Sequence, residues 1–276
     1  MPVAIAADGV KLHYEVAGEG PAIIFVHELA GTLHSFDLQV AALKPRFRCI
    51  AFNARGYPPS AVPPNAQSYS QDIAAADIGA VLDAAGAKDA HVMGVSMGSA
   101  AALQFALAHP ARVRSAILCS IGSGSDAKPE DYMATMEAMA ARIEQNGMAQ
   151  LKENFTTSPA RVKLKDKNPA EYAKFLREIE GFSIEGLANT VRGVQKRRPP
   201  LYAHKERIAA MTIPALIVLG GDDQGCAKPS RFLAETLPGA RLEVLPNTGH
   251  GVNLEEPQRV NRLVEDFIAA VEKSRI

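Results

Sequence analysis

The chain has 276 residues, 47% hydrophobic and 22% charged, enough to bury a real core as one large domain or as one domain with an insertion. Its 30 Lys and Arg balance 30 Asp and Glu, a formal net charge of +0, so nothing in the overall balance argues for nucleic acid, an anionic membrane or a highly charged partner, although local surface patches are open. The opening MPVAIAADGVKLHYEV has no basic segment leading into an apolar one, and no apolar run approaches the ~20 residues of a membrane span, so a cytoplasmic protein is expected.

In chain order, AIIFVH (22–27), FRCIAF (47–52), AHVMGV (90–95), RSAILCS (114–120), ALIVLG (215–220) and ARLEVL (240–245) read as strands. Most are apolar throughout rather than alternating, which predicts a sheet covered on both faces. SQDIAAADIGAVLDAAG (70–86) and EPQRVNRLVEDFIAAVEK (256–273) have the helical pattern of such covers. The expected fold class is therefore α/β, with a doubly wound, mostly parallel sheet. From about 125 to 208 the rhythm breaks. PEDYMATMEAMAARIEQ (129–145), NPAEYAKFLREIEG (168–181) and IEGLANTVRGVQ (184–195) are helical with no strand among them. This predicts a core of residues 1–124 and 209–276 carrying a helical cap at 125–208. RPP (198–200) and the PP pairs at 58–59 and 63–64 mark turns or extended loops. Cys49, Cys119 and Cys226 lack any CxxC or Cys/His spacing and read as reduced packing residues rather than a disulfide framework or a zinc site.

AHVMGVSMGSAAAL (90–103) places Ser96 between two glycines where a strand gives way to an alanine-rich helix. Strand, GxSxG and helix together are the pattern of a nucleophile elbow. The turn is tight enough that side chains at Gly94 and Gly98 would collide with the neighbouring strand and helix, and the helix start favours negative charge developing nearby. A serine is a weak nucleophile unless a base takes its proton and a third group orients that base. Of seven histidines, His250 lies in a loop after the last strand and before the last helix, over the same carboxyl edge of the sheet as Ser96. For the acid, GGDDQG (220–225) offers Asp222 and Asp223 at that edge, one of which can be an ordinary turn residue. The order Ser, Asp, His suits the fold.

His27 at the end of AIIFVH, ARGYPPS (54–60), GVSMG (94–98), Pro214 with Gly220 and an aspartate three residues beyond it, and TGHGVNLEEP (248–257) together resemble the alpha/beta-hydrolase-fold serine esterases that carry a helical lid. The resemblance covers nearly the whole chain apart from the insertion. It implies Ser96 as nucleophile, Asp223 as acid and His250 as base, with Asp126 as an outside candidate for the acid. It also implies oxyanion donors in the backbone amides of Leu29 and Met97, and no metal or organic cofactor. A serine at position 96 argues against haloalkane dehalogenation and epoxide hydrolysis, which in this family need aspartate there.

One position departs from the pattern. Glu28 stands where the family usually has glycine, and the expectation is that it points away from Ser96, either as a loop brace with Arg55 as its first partner to try or as a solvated glutamate with no role. Glu28, His34 and Phe36 are candidates to contact substrate at the site entrance, against packing or capping roles for the last two. Met133, Met136, Met139, Met148, Phe155, Phe175 and Phe182 are candidates for an apolar pocket under the cap, with packing onto the core expected for most. The function expected is hydrolysis of a small to medium apolar carboxylic ester or lactone, a small-molecule substrate. Hydrolysis of a carbon–carbon bond in a β-diketone or dienoate, or a slow-turnover ligand sensor, is the alternative.

Overall fold

The computed structural model describes residues 2–275. Eight strands form one sheet: β1 (Val3–Ile5), β2 (Lys11–Ala17), β3 (Ala22–Val26), β4 (Arg48–Phe52), β5 (Ala90–Val95), β6 (Val113–Cys119), β7 (Ala215–Gly220) and β8 (Arg241–Leu245), in the order β1-β2-β4-β3-β5-β6-β7-β8. The pairings of β1 with β2 and of β2 with β4 are antiparallel; all the others are parallel. Helices α1 (Asp37–Leu43), α2 (Gln71–Ala84) and α3 (Met97–Ala108) alternate with the strands of the first half.

The unbroken apolar strands are explained by the two faces they fill. Ile24, Val92, Leu118 and Ile217 pack on one side against Ile78 and Leu82 of α2 and Ala102 and Phe105 of α3. Their chain neighbours Ile23, Met93, Ile117 and Val218 pack on the other side against Leu43 of α1 and the last helix of the chain. Neither face is left to water, so no polar alternation survives, and each buried Ile, Leu or Phe contributes roughly 1.5–3 kcal/mol.

Between β6 and β7 the described residues hold no strand. They form α4 (Pro129–Asn146), α5 (Met148–Thr157), α6 (Pro159–Lys167), α7 (Pro169–Glu178), α8 (Ile184–Thr190), a π turn at Val191–Gln195 that continues α8, and α9 (Lys205–Ala209). The sequence shows no helical pattern at 146–167, yet α5 and α6 lie there. Ile143, Leu151, Phe155, Phe175 and Leu187 from these helices cluster with Tyr57, Met97 and Leu254. After β7 come α10 (Gln224–Thr236), α11 (Val252–Glu255) and α12 (Pro257–Arg275), the last of which covers the second face of the sheet. No helix among the described residues is long and apolar enough to cross a membrane.

The strand order fixes where a ligand can sit. The chain moves outward from β3 to β4, then returns to place β5 on the other side of β3. The winding therefore reverses between β3 and β5, and the crevice beyond the carboxyl ends of such a pair is the usual ligand position in open α/β sheets.

Candidate active site

Ser96 stands at this reversal, between the end of β5 and the first residue of α3. Its backbone has φ 54 and ψ −111, a region that costs a non-glycine residue of order 1–3 kcal/mol and persists only where the surroundings enforce it. The enforcement is visible. A Cβ on Gly94 would overlap the Gly98 carbonyl, and one on Gly98 would overlap the Val26 carbonyl of β3. The Ser96 N–H donates to the Cys119 carbonyl at 2.9 Å. The Ser99 hydroxyl reaches the carbonyls of Gly94 and Cys119, each at 2.7 Å, and ties the turn to β6.

The loop after β3 borders the same place. His27 is almost wholly buried, and its Nε2 accepts the Ala54 N–H at 3.0 Å, so Nδ1 carries the proton and donates to the Glu28 carbonyl at 2.8 Å. Burial holds the His27 pKa below the usual 6.5, against the opposing backbone hydrogen bond and the nearby Glu28 carboxylate. Tyr57 packs edge-on against the His27 ring with centroids 4.6 Å apart, and its hydroxyl accepts the Ala30 N–H at 3.3 Å. Leu29 lies between these fixed points and faces the cavity that Ser96 also lines. Met97 opens α3, where the first N–H groups have no acceptor within the helix.

Asp223 and His250 meet at the end of β7. His250 Nδ1 lies 2.7 Å from Asp223 Oδ2. Burial pushes the Asp223 carboxyl up, but the hydrogen bonds and charge of His250, with smaller contributions from Cys226 and Ser120, outweigh it and hold the pKa below the usual 3.8. An ionised Asp223 fixes the proton on Nδ1 and leaves Nε2 able to accept one. The histidine loop is clamped by backbone contacts. Glu255 takes the N–H of Gly249 at 2.6 Å and of Gly251 at 3.2 Å, on either side of His250, while the Ser120 hydroxyl donates to the His250 carbonyl at 2.7 Å. A Cβ on Gly220 would overlap the Gly249 carbonyl, so the glycine that ends β7 is what lets this loop approach.

Asp223, Cys226 and His250 each bring a potential metal-ligating atom within 4.8 Å of the others. Burial pushes the Cys226 thiol well above its usual range and Asp223 adds to the push, so the thiol is protonated. Its Sγ lies 3.2 Å from the Ser120 carbonyl and 3.8 Å from His250 Nδ1. Cys226 thus stands as a thiol beside the hydrogen-bonded Asp223–His250 pair.

Ser96, Asp223 and His250 open on one cavity of about 800 Å³ between the sheet edge and the helices that follow β6. Its wall carries apolar side chains from the helices, at Met136, Met139, Ile143, Leu151, Phe155 and Phe175, and polar ones at Tyr132, Thr135, Arg142, Gln195 and Arg198.

A profile of the alpha/beta hydrolase fold matches residues 21–257. The chain belongs to the alpha/beta hydrolase fold family. This hydrolase-fold chain is 28% identical over 270 residues to 3-oxoadipate enol-lactonase 1 of Acinetobacter baylyi, a match that covers 96% of this chain and 95% of that protein. Its fold is similar to that of the enol-lactonase from Burkholderia xenovorans LB400, with a TM-score of 0.85, 24% identity, and coverage of 97% and 100% of the two chains. It is also similar to a thermophilic esterase from Thermogutta terrifontis, with a TM-score of 0.87, 23% identity and 98% of each chain covered.

Within this hydrolase-fold frame, the residues singled out in the sequence separate into those brought together and those kept apart. Ser96, Asp223, His250 and Leu29 border the cavity, and Met97 is the residue after Ser96. Glu28 is not at the entrance: its side chain is buried and lies against Gly31, where a Cβ would come within 2.7 Å of the carboxylate. Arg55 is not its partner. It forms a paired contact with Asp77, at 2.7 Å from both Nε and Nη2, and reaches Asp8 at 2.7 Å. His34 is exposed and sits 3.2 Å from Asp37, while Phe36 is fully buried under the sheet, 5.0 Å from the Phe25 ring, so neither lines the cavity. Asp222 pairs with Lys163, and Asp126 accepts from Tyr202; neither contacts His250. Of the cap candidates, Met136, Met139, Phe155 and Phe175 face the cavity; Met133 is exposed, and Phe182 packs on Tyr57.

The sequence reading missed Ser120 and Cys226 beside the acid, and Tyr132, Gln195 and Arg198 on the polar wall. Cys226 lies three residues after Asp223, close to one helical turn, a spacing that brings the two side chains to one side. Nothing in RPP distinguishes Arg198 from a turn residue.

Proposed function

We propose that this protein is a serine hydrolase that cleaves a carboxylic ester or lactone of a small to medium substrate through an acyl-enzyme. The observation that carries the reading is the 2.7 Å Asp223–His250 contact opening on the same cavity as a serine held at φ 54. Similarity to an enol-lactonase at 28% identity supports it.

His250, with its proton on Nδ1, takes the Ser96 hydroxyl proton at Nε2 as the oxygen attacks the substrate carbonyl. Asp223 holds the ring in that tautomer and stabilises the imidazolium that forms. The carbonyl oxygen becomes an oxyanion, met by the amides of Leu29 and Met97. The His27 bonds to the Ala54 N–H and the Glu28 carbonyl set the direction of the first amide, and the start of α3 sets the second. His250 then protonates the leaving alkoxide. Water attacks the acyl-serine by the same route in reverse and releases the acid. In a lactone both fragments remain one molecule. The helices following β6 act as a cap, their apolar wall receiving the carbon skeleton and limiting water to what hydrolysis consumes.

The test is turnover across matched panels of p-nitrophenyl esters, lactones and β-diketones, with Ser96→Ala as control. Multiple turnovers on esters or lactones, lost in the variant, are expected. Turnover confined to the diketones, or a single burst without further product, would overturn the ester or lactone assignment.

A further inference from the structure

The cavity at Ser96 has an unequal charge balance. Its two lining carboxylates are both engaged, Asp222 with Lys163 and Asp223 with His250, whereas Arg142 and Arg198 have no carboxylate within ion-pairing distance among the described residues. Arg198 is half-buried and is held by Nη2, which donates to the Ser123 carbonyl at 2.7 Å and to the Tyr132 hydroxyl at 3.2 Å. Its Nε and Nη1 donors have no acceptor among the described residues, which leaves part of the guanidinium fork open.

Ser123, Tyr132 and Arg198 also line a second cavity of about 340 Å³, so the two spaces share a wall. That second space is basic. Lys196, Arg197 and Arg198 line it and no Asp or Glu does, and of the three only Lys196 is matched, by Glu137. The π turn at Val191–Gln195 brings Gln195 to the catalytic cavity and delivers the chain into this basic run. A half-buried guanidinium without a counter-charge, set in a wall that offers further donors, is complementary to a planar anion that it can bind with two parallel bonds.

We infer that the substrate carries a carboxylate, held by Arg198 at the polar end of the cavity with Arg197 drawing it in, while the scissile carbonyl lies at Ser96. The substrate class is thus an ester or lactone with an acidic tail, not the wholly apolar one that the sequence suggests. This rests on the hydrolase reading above.

The experiment compares the mono-p-nitrophenyl ester of adipic acid with p-nitrophenyl hexanoate, which share chain length and leaving group. The acidic ester is expected to have the higher kcat/KM by about tenfold or more. Arg198→Gln should reduce that ratio by about tenfold, mainly through KM, and Arg198→Lys should restore part of it. A purely structural brace on Ser123 would lower both esters alike and leave the ratio unchanged, which would overturn the inference, as would a wild-type preference for the neutral ester. If neither ester turns over, the hydrolase reading fails by itself, and calorimetry decides the inference: adipate should bind more tightly than adipamide to the wild type and lose that advantage in Arg198→Gln. Equal binding of the two, or no binding, overturns it.

Discussion

Asp222 and Asp223 are adjacent, and their chemistry is separated by where each carboxylate points. Asp223 is buried against His250, with its pKa held below 3.8 by that partner despite the burial, while Asp222 is exposed and paired with Lys163. Asp223→Asn would remove the acceptor that keeps the proton on Nδ1, and kcat is expected to fall by about 10⁴-fold. Asp222→Asn should change it only a few-fold, since exposed ion pairs contribute about 0–1 kcal/mol. Steady-state kinetics on one ester checks both, and the reverse ordering would move the role to Asp222. The sequence made the aspartate pair visible because Gly-Asp-Asp follows a strand end, yet composition and spacing left the choice between them open. The choice depends on how Gly220 lets the Gly249 backbone close over β7, a long-range contact no local pattern reports. Glu28 is harder still. The sequence shows a carboxylate where glycine is usual but not its rotamer, and Arg55, its expected partner, is taken by Asp77 and Asp8.

Among elements, those with two-sided burial or a tight turn were legible. AHVMGV and ALIVLG coincide with β5 and β7 because central strands must be apolar at every position. The elbow was legible because its glycines are sterically obligatory. Gly98→Ala makes this measurable: the new methyl would overlap the Val26 carbonyl, and backbone on a central strand cannot yield as a side-chain tip does. A loss of about 3 kcal/mol, the upper end for an overpacked site, is expected in urea unfolding, with activity lost in whatever remains folded. A variant as stable as the wild type would contradict the close approach of β3 and α3. Helices α5 and α6 were not legible. PARVKLKDK in α6 has too little apolar periodicity to declare a face, and α10 carries Pro229 inside it, so tertiary contacts decide these segments.

For the whole molecule, buried histidines set how stability responds to acid. The pKa of His27 is depressed by burial below 6.5, so the unfolded chain binds a proton at a pH where the folded chain does not. Stability therefore rises with pH across that window: it is complete above about 6.5 and declines as pH falls toward the folded-state pKa. His204, depressed by partial burial and by Arg207, acts in the same direction. Unfolding free energies measured from pH 7 down to 5 should fall with acid, and His27→Gln should make the slope shallower without abolishing it. An unchanged slope would mean that His27 is not held neutral. The architecture itself was legible as an α/β sheet with covers on both faces; the polar wall at Arg198 was not, because a guanidinium without a partner is recognised only when every nearby carboxylate has been placed.

As the proposed nucleophile, Ser96 is activated by His250 and positioned by the turn between β5 and α3. The most direct measurement is reaction with a p-nitrophenyl alkylphosphonate, which a serine activated in this way attacks to form a stable adduct, followed by mass mapping of the labelled peptide. One adduct per chain is expected, on Ser96, with turnover lost in proportion to labelling and labelling suppressed in His250→Gln. An adduct on another residue, or full activity remaining after Ser96 is labelled, would contradict that role.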